Sequence, residues 1–263
     1  MLNSLLVVLA VAIMSVTPAS SQLIGVDTGS MYFKVALVKP GSPFQIVTNV
    51  HSKRKTETIL AMEDGERRFG GDAVNVANRR PQQAIQYVPR LLGRSTKHPA
   101  IESLASQYFP FSVEMDESRG TANLTIIGGG DQAQRNVELS PEESMAMILT
   151  HAKSCADAFS GGKVTDAVLT VPSYFTVAER DAMKDSAQIA GLKVLSLIEE
   201  NTAAALQYGI TRIFPNETHT VLIYNMGASA TQVSVFDFTT YTVTKGSKNQ
   251  TCGQFEHVGK AWD

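Results

Sequence analysis

Asp27 and Asn225 stand at matching places in two segments built alike. LIGVDTGSMYFKVALV, Leu23 to Val38, and VLIYNMGASATQVSVFDF, Val221 to Phe238, each read as apolar strand, polar residue, Gly turn, second apolar strand. The glycine follows two positions after the polar residue, as Gly29 or Gly227. A short turn of this kind is rich in exposed N–H groups, which is what a backbone needs to approach a phosphate closely. Two such hairpins point to two lobes that clasp one nucleotide. The second is the odder one, because Asn225 stands where a carboxylate is expected.

The elements that must hold these turns in place can be read from pattern and punctuation. Strands are expected at Leu23–Val26, Phe33–Val38, Phe44–Thr48, Thr58–Ala61 and Arg67–Phe69, broken by Pro40-Gly41-Ser42 and Glu63-Asp64-Gly65, both good turn chemistry. A short helix from Asp72 to Arg79 stops at Pro81, and another lies near Leu91. Gly128-Gly129-Gly130 reads as a flexible turn between strands at Asn123–Ile127 and Asn136–Leu139, with no strand-to-helix pattern that would make it a dinucleotide site,. Ser140-Pro-Glu-Glu143 is a capping box that launches a helix to Phe159, ended by Gly161-Gly162,. Asp166–Val171 is a buried strand, and Thr176-Val-Ala-Glu179 caps a second helix that stops at Gly191. Then come a strand at Lys193–Ile198, a helix at Asn201–Tyr208 capped by Gly209, and strands at Thr220–Tyr224, Val233–Phe238 and Val243–Ser247. A meander followed by strand–helix–strand crossings is the pattern of an actin-like lobe.

The chain has 263 residues, 43% of them hydrophobic, and a formal net charge of -2. That is globular composition, and the near-neutral balance gives no electrostatic case for nucleic acid. The unbroken apolar run from Leu5 to Met14, followed by small residues up to Ser21, reads as a signal peptide over 1–22, too short to span a bilayer as a mature helix,. Sequons at Asn123, Asn216 and Asn249 agree with secretion,. Cys155 and Cys252 are too few for a disulfide framework, and Cys155, in a helical pattern, reads as a buried thiol,.

The stretch DAVLTVPSYFTVAERDAMKDSAQIAGLKVLSLIEENTAAALQYGI, Asp166 to Ile210, resembles the most diagnostic segment of the seventy-kilodalton heat-shock protein family of chaperones, and the two hairpins are similar to that family's two phosphate loops. VALVKPGSPFQIVTN, SKRKT, RLLGRSTKHP and SPEESMAMIL resemble its large endoplasmic-reticulum branch. The resemblance implies an α/β, actin-like (ribonuclease H-like) ATPase-domain fold, with the first lobe over 23–210 and the start of the second over 211–263. Set against the family, the chain is expected to be C-terminally truncated, with the substrate-binding domain and a lumenal retention tetrapeptide absent. The same resemblance implies ATP or ADP with magnesium as cofactor, bound weakly or not at all. It implies a place in the endoplasmic-reticulum lumen, the main lumenal heat-shock chaperone as partner of a nucleotide-exchange function, and unfolded clients only for a full-length form.

Residue by residue, the resemblance makes Asp27 the carboxylate that holds the metal through water, and Gly29, Ser30 and Tyr32 the first phosphate turn, with Gly227 and Ser229 in the second. Met31 replaces a hydroxyl-bearing residue and reads as plain packing. Glu200 matches an acid of the metal's water shell; as first-turn charge it would instead contribute about 0.3–1 kcal/mol against the helix dipole,. Pro172 matches an interlobe switch, or else simply ends its strand,. Pro89, beside Arg90, takes the place of a lysine that positions water; Asn225 and Gln232 replace aspartates, and Ala230 a phosphate-contacting threonine. One well-placed electrostatic group is worth about 2–4 kcal/mol of barrier, so three losses predict little hydrolysis. The competing readings are an active ATPase in which Arg90 replaces the lysine while Asp27 and Glu200 alone hold metal, and a sugar kinase of the same superfamily, for which no residue cluster offers a sugar base.

Overall fold

The computed structural model describes residues 22–263 apart from 40, 106–108, 129–134, 211, 213, 215–216 and 246–247. The signal-peptide reading, the Gly129-Gly130 turn and the Asn216 sequon lie outside the described residues.

Strands β1 (Leu23–Thr28) and β2 (Tyr32–Val38) form the first hairpin. Alternate residues point to one face, and Ile24, Val26, Phe33, Val35 and Leu37 are buried there, as period-2 patterning requires. After β3 (Gln45–Ile46) and β4 (Thr56–Glu57), both paired with β2, the chain leaves this sheet. Thr58 donates from its backbone N–H to the Met31 carbonyl at 2.9 Å and from its hydroxyl to the Gly29 carbonyl at 2.8 Å. It is thereby pinned under the turn. The next strands, β5 (Ile59–Glu63) and β6 (Glu66–Phe69), join β7 (Ala84–Gln86) in a separate three-stranded sheet, covered by α1 (Gly70–Arg79). The single five-stranded meander expected from sequence is therefore two sheets.

A 3₁₀ turn at Val88–Arg90 and helix α2 (Pro99–Ala105) lead to an antiparallel sheet of β8 (Ser112–Asp116), β9 (Thr121–Gly128) and β10 (Arg135–Leu139). Asn123 sits half-buried on β9. Helix α3 (Pro141–Ser160) begins at the expected capping box: the Glu143 N–H donates to Ser140 Oγ at 3.1 Å and the Ser140 N–H to Glu143 Oε2 at 2.8 Å. It ends at Gly161, whose φ of 71° is a left-handed cap,. Strand β11 (Asp166–Val171) then lies parallel to β1, and after α4 (Val177–Ile189) strand β12 (Lys193–Glu199) lies parallel to β11. The main sheet runs β12-β11-β1-β2-β3, with β4 paired onto β2. Helices α3 and α4 supply Met145, Leu149, Ala152, Met183 and Ala187 to the core beneath it.

Helix α5 (Glu200–Ile210) follows β12 without a loop. It extends past Gly209, the expected cap; a Cβ there would stand 2.9 Å from the Phe238 ring, so this glycine lets a ring pack on the helix. The last sheet is β13 (His219–Met226), β14 (Thr231–Lys245) and β15 (Lys248–Trp262), all antiparallel. Sequence reading split β14 in two and gave no strand for β15. Ala205 of α5 packs with Phe214, Phe236 and Phe238 in a core of its own. Tyr208 of α5 packs against the same cluster.

Candidate functional site

The two hairpin turns face one cleft of about 760 Å³, within the size range of small-molecule sites. Asp27, Gly29, Ser30, Met31, Tyr32 and Lys34 line one wall; Asn225, Gly227, Ser229 and Gln232 line the other; Pro89, Arg90, Pro172 and Glu200 close the floor. Met31 is 44% exposed in this cleft and is not a packing residue; at the tip of the turn it has no core to enter.

The walls touch. Ser30 Oγ and Ser229 Oγ are 2.6 Å apart, one hydrogen bond joining the two hairpins. The Arg90 guanidinium donates to the Ser229 carbonyl. Arg90 is aimed from the 3₁₀ turn that begins after Tyr87, a residue in left-handed conformation with φ 56°. Pro89, in the same turn, is buried.

Each carboxylate of the cleft is already engaged. Asp27 and Lys34 are cross-strand partners in the first hairpin, and Lys34 Nζ lies 2.8 Å from Asp27 Oδ2. Thr170 of β11 donates to Asp27 Oδ1 at 3.2 Å. Glu200 opens α5 directly after the last residue of β12. Asn225 and Gln232 are a cross-strand pair in the second hairpin. Both aim their amides at Glu200 Oε2, Asn225 Nδ2 at 3.1 Å and Gln232 Nε2 at 2.6 Å. Gln232 uses its other end as well: its Oε1 accepts the Ser173 N–H at 2.8 Å. The glutamine thus ties β14 to the turn after β11 and to α5 together. Burial, and next the neighbouring Asp27, raise the Glu200 carboxyl above the usual glutamate range, while the two amides act in the opposite direction.

Around this cluster, Arg90 Nε, Ser173 Oγ and Asn201 Oδ1 are buried with no partner among the described residues, and such atoms are rare unless something else meets them. Pro172 is buried at the end of β11 beside the same cleft. Among the described residues no group of three His, Cys, Asp or Glu side chains is placed to hold a metal ion. Sequence reasoning missed Lys34, Thr170 and Ser173. Lys34 was within reach, because a turn centred on Gly29–Met31 sets it opposite Asp27. Thr170 meets Asp27 across 143 residues and Ser173 meets Gln232 across 59, so neither left a local signal.

The cleft is thus walled by two paired hairpins of one design. Comparison with protein families matches residues 23–260 to the Hsp70 protein family; the chain belongs to that family, and its fold is the actin-like ATPase-domain fold. Nucleotide-binding domains of this family generally bind ATP or ADP with magnesium. The chain is similar to hypoxia up-regulated protein 1 of Danio rerio, 34% identical over 97% of this chain and 25% of that relative. The protein of that name from Xenopus laevis is 36% identical over 94% of this chain and 38% of the relative, and the Homo sapiens one 35% over 92% and 23%. The chain thus spans between about a quarter and two fifths of the length of these curated relatives. No helix among the described residues is long and apolar enough to cross a membrane.

Proposed function

We propose that this chain is an Hsp70-family module of the endoplasmic-reticulum lumen that binds adenine nucleotide weakly, does not hydrolyse ATP at a useful rate, and acts through contacts with the main lumenal heat-shock chaperone, as a nucleotide-exchange partner. The observation that carries the loss of hydrolysis is the Glu200 carboxylate held by the amides of Asn225 and Gln232. Phosphoryl transfer depends on charge set around the moving phosphoryl group. Amides bring none, and Pro89 has no proton or charge to offer where a lysine is expected. Contacts from the Gly29–Tyr32 and Gly227–Ser229 turns hold a ground state, whereas the replaced charges serve the transition state. Binding therefore outlives chemistry. The signal segment, the Asn123, Asn216 and Asn249 sequons and the likeness to the relatives above support the location. Pro172, buried at the end of β11 beside the cleft, fits the interlobe switch.

Single-turnover ATP cleavage by the purified chain is expected to match that of Asp27→Ala. Restoring Pro89→Lys, Asn225→Asp and Gln232→Asp together is expected to raise metal-dependent nucleotide affinity. Turnover by the unmodified chain that Asp27→Ala abolishes would overturn this reading. It would favour instead an ATPase in which Arg90, already directed into the cleft, takes the lysine's role.

A further inference from the structure

A magnesium ion demands oxygen ligands in near-octahedral geometry and is usually met by one or two carboxylates through its waters. The cleft does not fit it. Both oxygens of Asp27 are engaged, one by the Lys34 ammonium and one by the Thr170 hydroxyl. Glu200 Oε2 is crowded by two N–H donors and the oxygen of the Gln232 amide is taken by the Ser173 N–H, so Glu200 Oε1 alone remains of the four carboxylate oxygens, too few to hold the water shell of a metal. The charges agree with the geometry. The ionisable acids and strong bases lining the cleft are Asp27 and Glu200 against Lys34 and Arg90, so they cancel. Aspartates at 225 and 232 would add two negative charges, the amount one divalent cation neutralises. With amides there, the lining itself carries no excess negative charge for such a cation to neutralise.

We propose that the cleft takes the phosphates of a nucleoside diphosphate without a divalent cation, with the Lys34 ammonium, seated on Asp27, as its resident positive charge and Arg90 as the second. This rests on the nucleotide-binding reading above. Lys34 stands in the cleft wall, and its side chain is 48% exposed. An ammonium carries three N–H donors; one is spent on Asp27, which leaves two for phosphate oxygens. A lysine serves a phosphate as a point charge and needs no planar alignment. Arg90 brings a buried Nε that has no partner among the described residues, a donor held ready at the floor. Asp27, in this arrangement, is a positioning residue: it fixes where the ammonium stands and touches no phosphate.

The test is calorimetric titration of the chain with ADP, in magnesium and separately in excess chelator. The dissociation constants are expected to agree within about threefold, and Lys34→Met to weaken binding by about tenfold or more in both buffers, while Lys34→Arg retains most of it. Asn225→Asp with Gln232→Asp is expected to transfer the dependence, with ADP bound about tenfold more tightly in magnesium than in chelator. ADP bound by the unmodified chain in magnesium alone would overturn the resident-cation inference and leave the nucleotide reading standing. So would unchanged affinity in Lys34→Met. No ADP bound in either buffer would overturn both.

Discussion

Gln232 shows how much one side chain decides. An aspartate there could accept the Ser173 N–H but could not donate to Glu200, and it would bring a second negative charge to a carboxyl that burial already disfavours. Gln232→Ala leaves a buried N–H and a half-buried carboxylate short of a partner, so we expect a loss of about 1–3 kcal/mol in denaturant unfolding,. Glu200 gives a signed pH dependence. Its folded pKa lies above the ordinary value, first because of burial, so the folded chain holds its proton more tightly than the unfolded chain does. Its contribution to stability therefore falls as pH rises from the ordinary glutamate range through the raised value. The stability of Glu200→Gln relative to the unmodified chain is expected to climb over that window, measured as the unfolding midpoint at several pH values; a flat or falling difference would contradict it. The anomaly at this scale was legible: Asn225, Gln232 and Pro89 stood out in the sequence. That the two amides converge on Glu200 was not, because it depends on strand register and on the end of β12 meeting α5.

Among the elements, those with chemical punctuation were read best. Both capping boxes start helices where Ser140 and Thr176 predicted them, and Ser140→Ala is expected to cost about 1 kcal/mol in thermal or denaturant unfolding. The segment around Leu91 had no such signal, yet it is tightly specified. Gly93 has φ 62°, and a Cβ there would lie 2.7 Å from the Ala178 carbonyl at the start of α4. Next to it, buried Arg94 pairs with buried Glu179 at 2.5 Å. Burial alone would raise the Glu179 carboxyl; the backbone and hydroxyl of Thr176, and then Arg94, bring it below the usual range. Gly93→Ala combines a left-handed backbone with this close approach, so it is expected to lose more than about 1 kcal/mol. The strands were harder to read. β15 carries Gly253, Gly259 and alternating polar residues, a sequence with weak strand propensity,. It is a strand because β14 beside it offers a long edge to pair with.

At the scale of the molecule, sequence showed two hairpins of one design, and they line one cleft; the packing of α5 did not show, because Ala205 and Gly209 reveal their neighbours only against Phe236 and Phe238. One face of the last sheet is apolar and uncovered among the described residues: Leu222, Tyr224 and Met226 follow one another along β13 at 60%, 61% and 72% exposure. Isolated monomers seldom leave contiguous apolar patches beyond about several hundred Å². The purified chain is therefore expected to bind a hydrophobic dye and to self-associate as concentration rises, with both effects reduced in Leu222→Thr/Tyr224→Thr/Met226→Thr. Dye binding and sedimentation unaltered by the triple change would locate the tendency elsewhere. The hydroxyl contact between Ser30 and Ser229 carries a consequence in time. A guest that seats between the two turns must first part that hydrogen bond, so the frequency of opening would cap the speed of its entry. Ser229→Ala removes the fastening, and in rapid mixing it should quicken association while the unmodified chain levels off at a ceiling independent of ligand concentration.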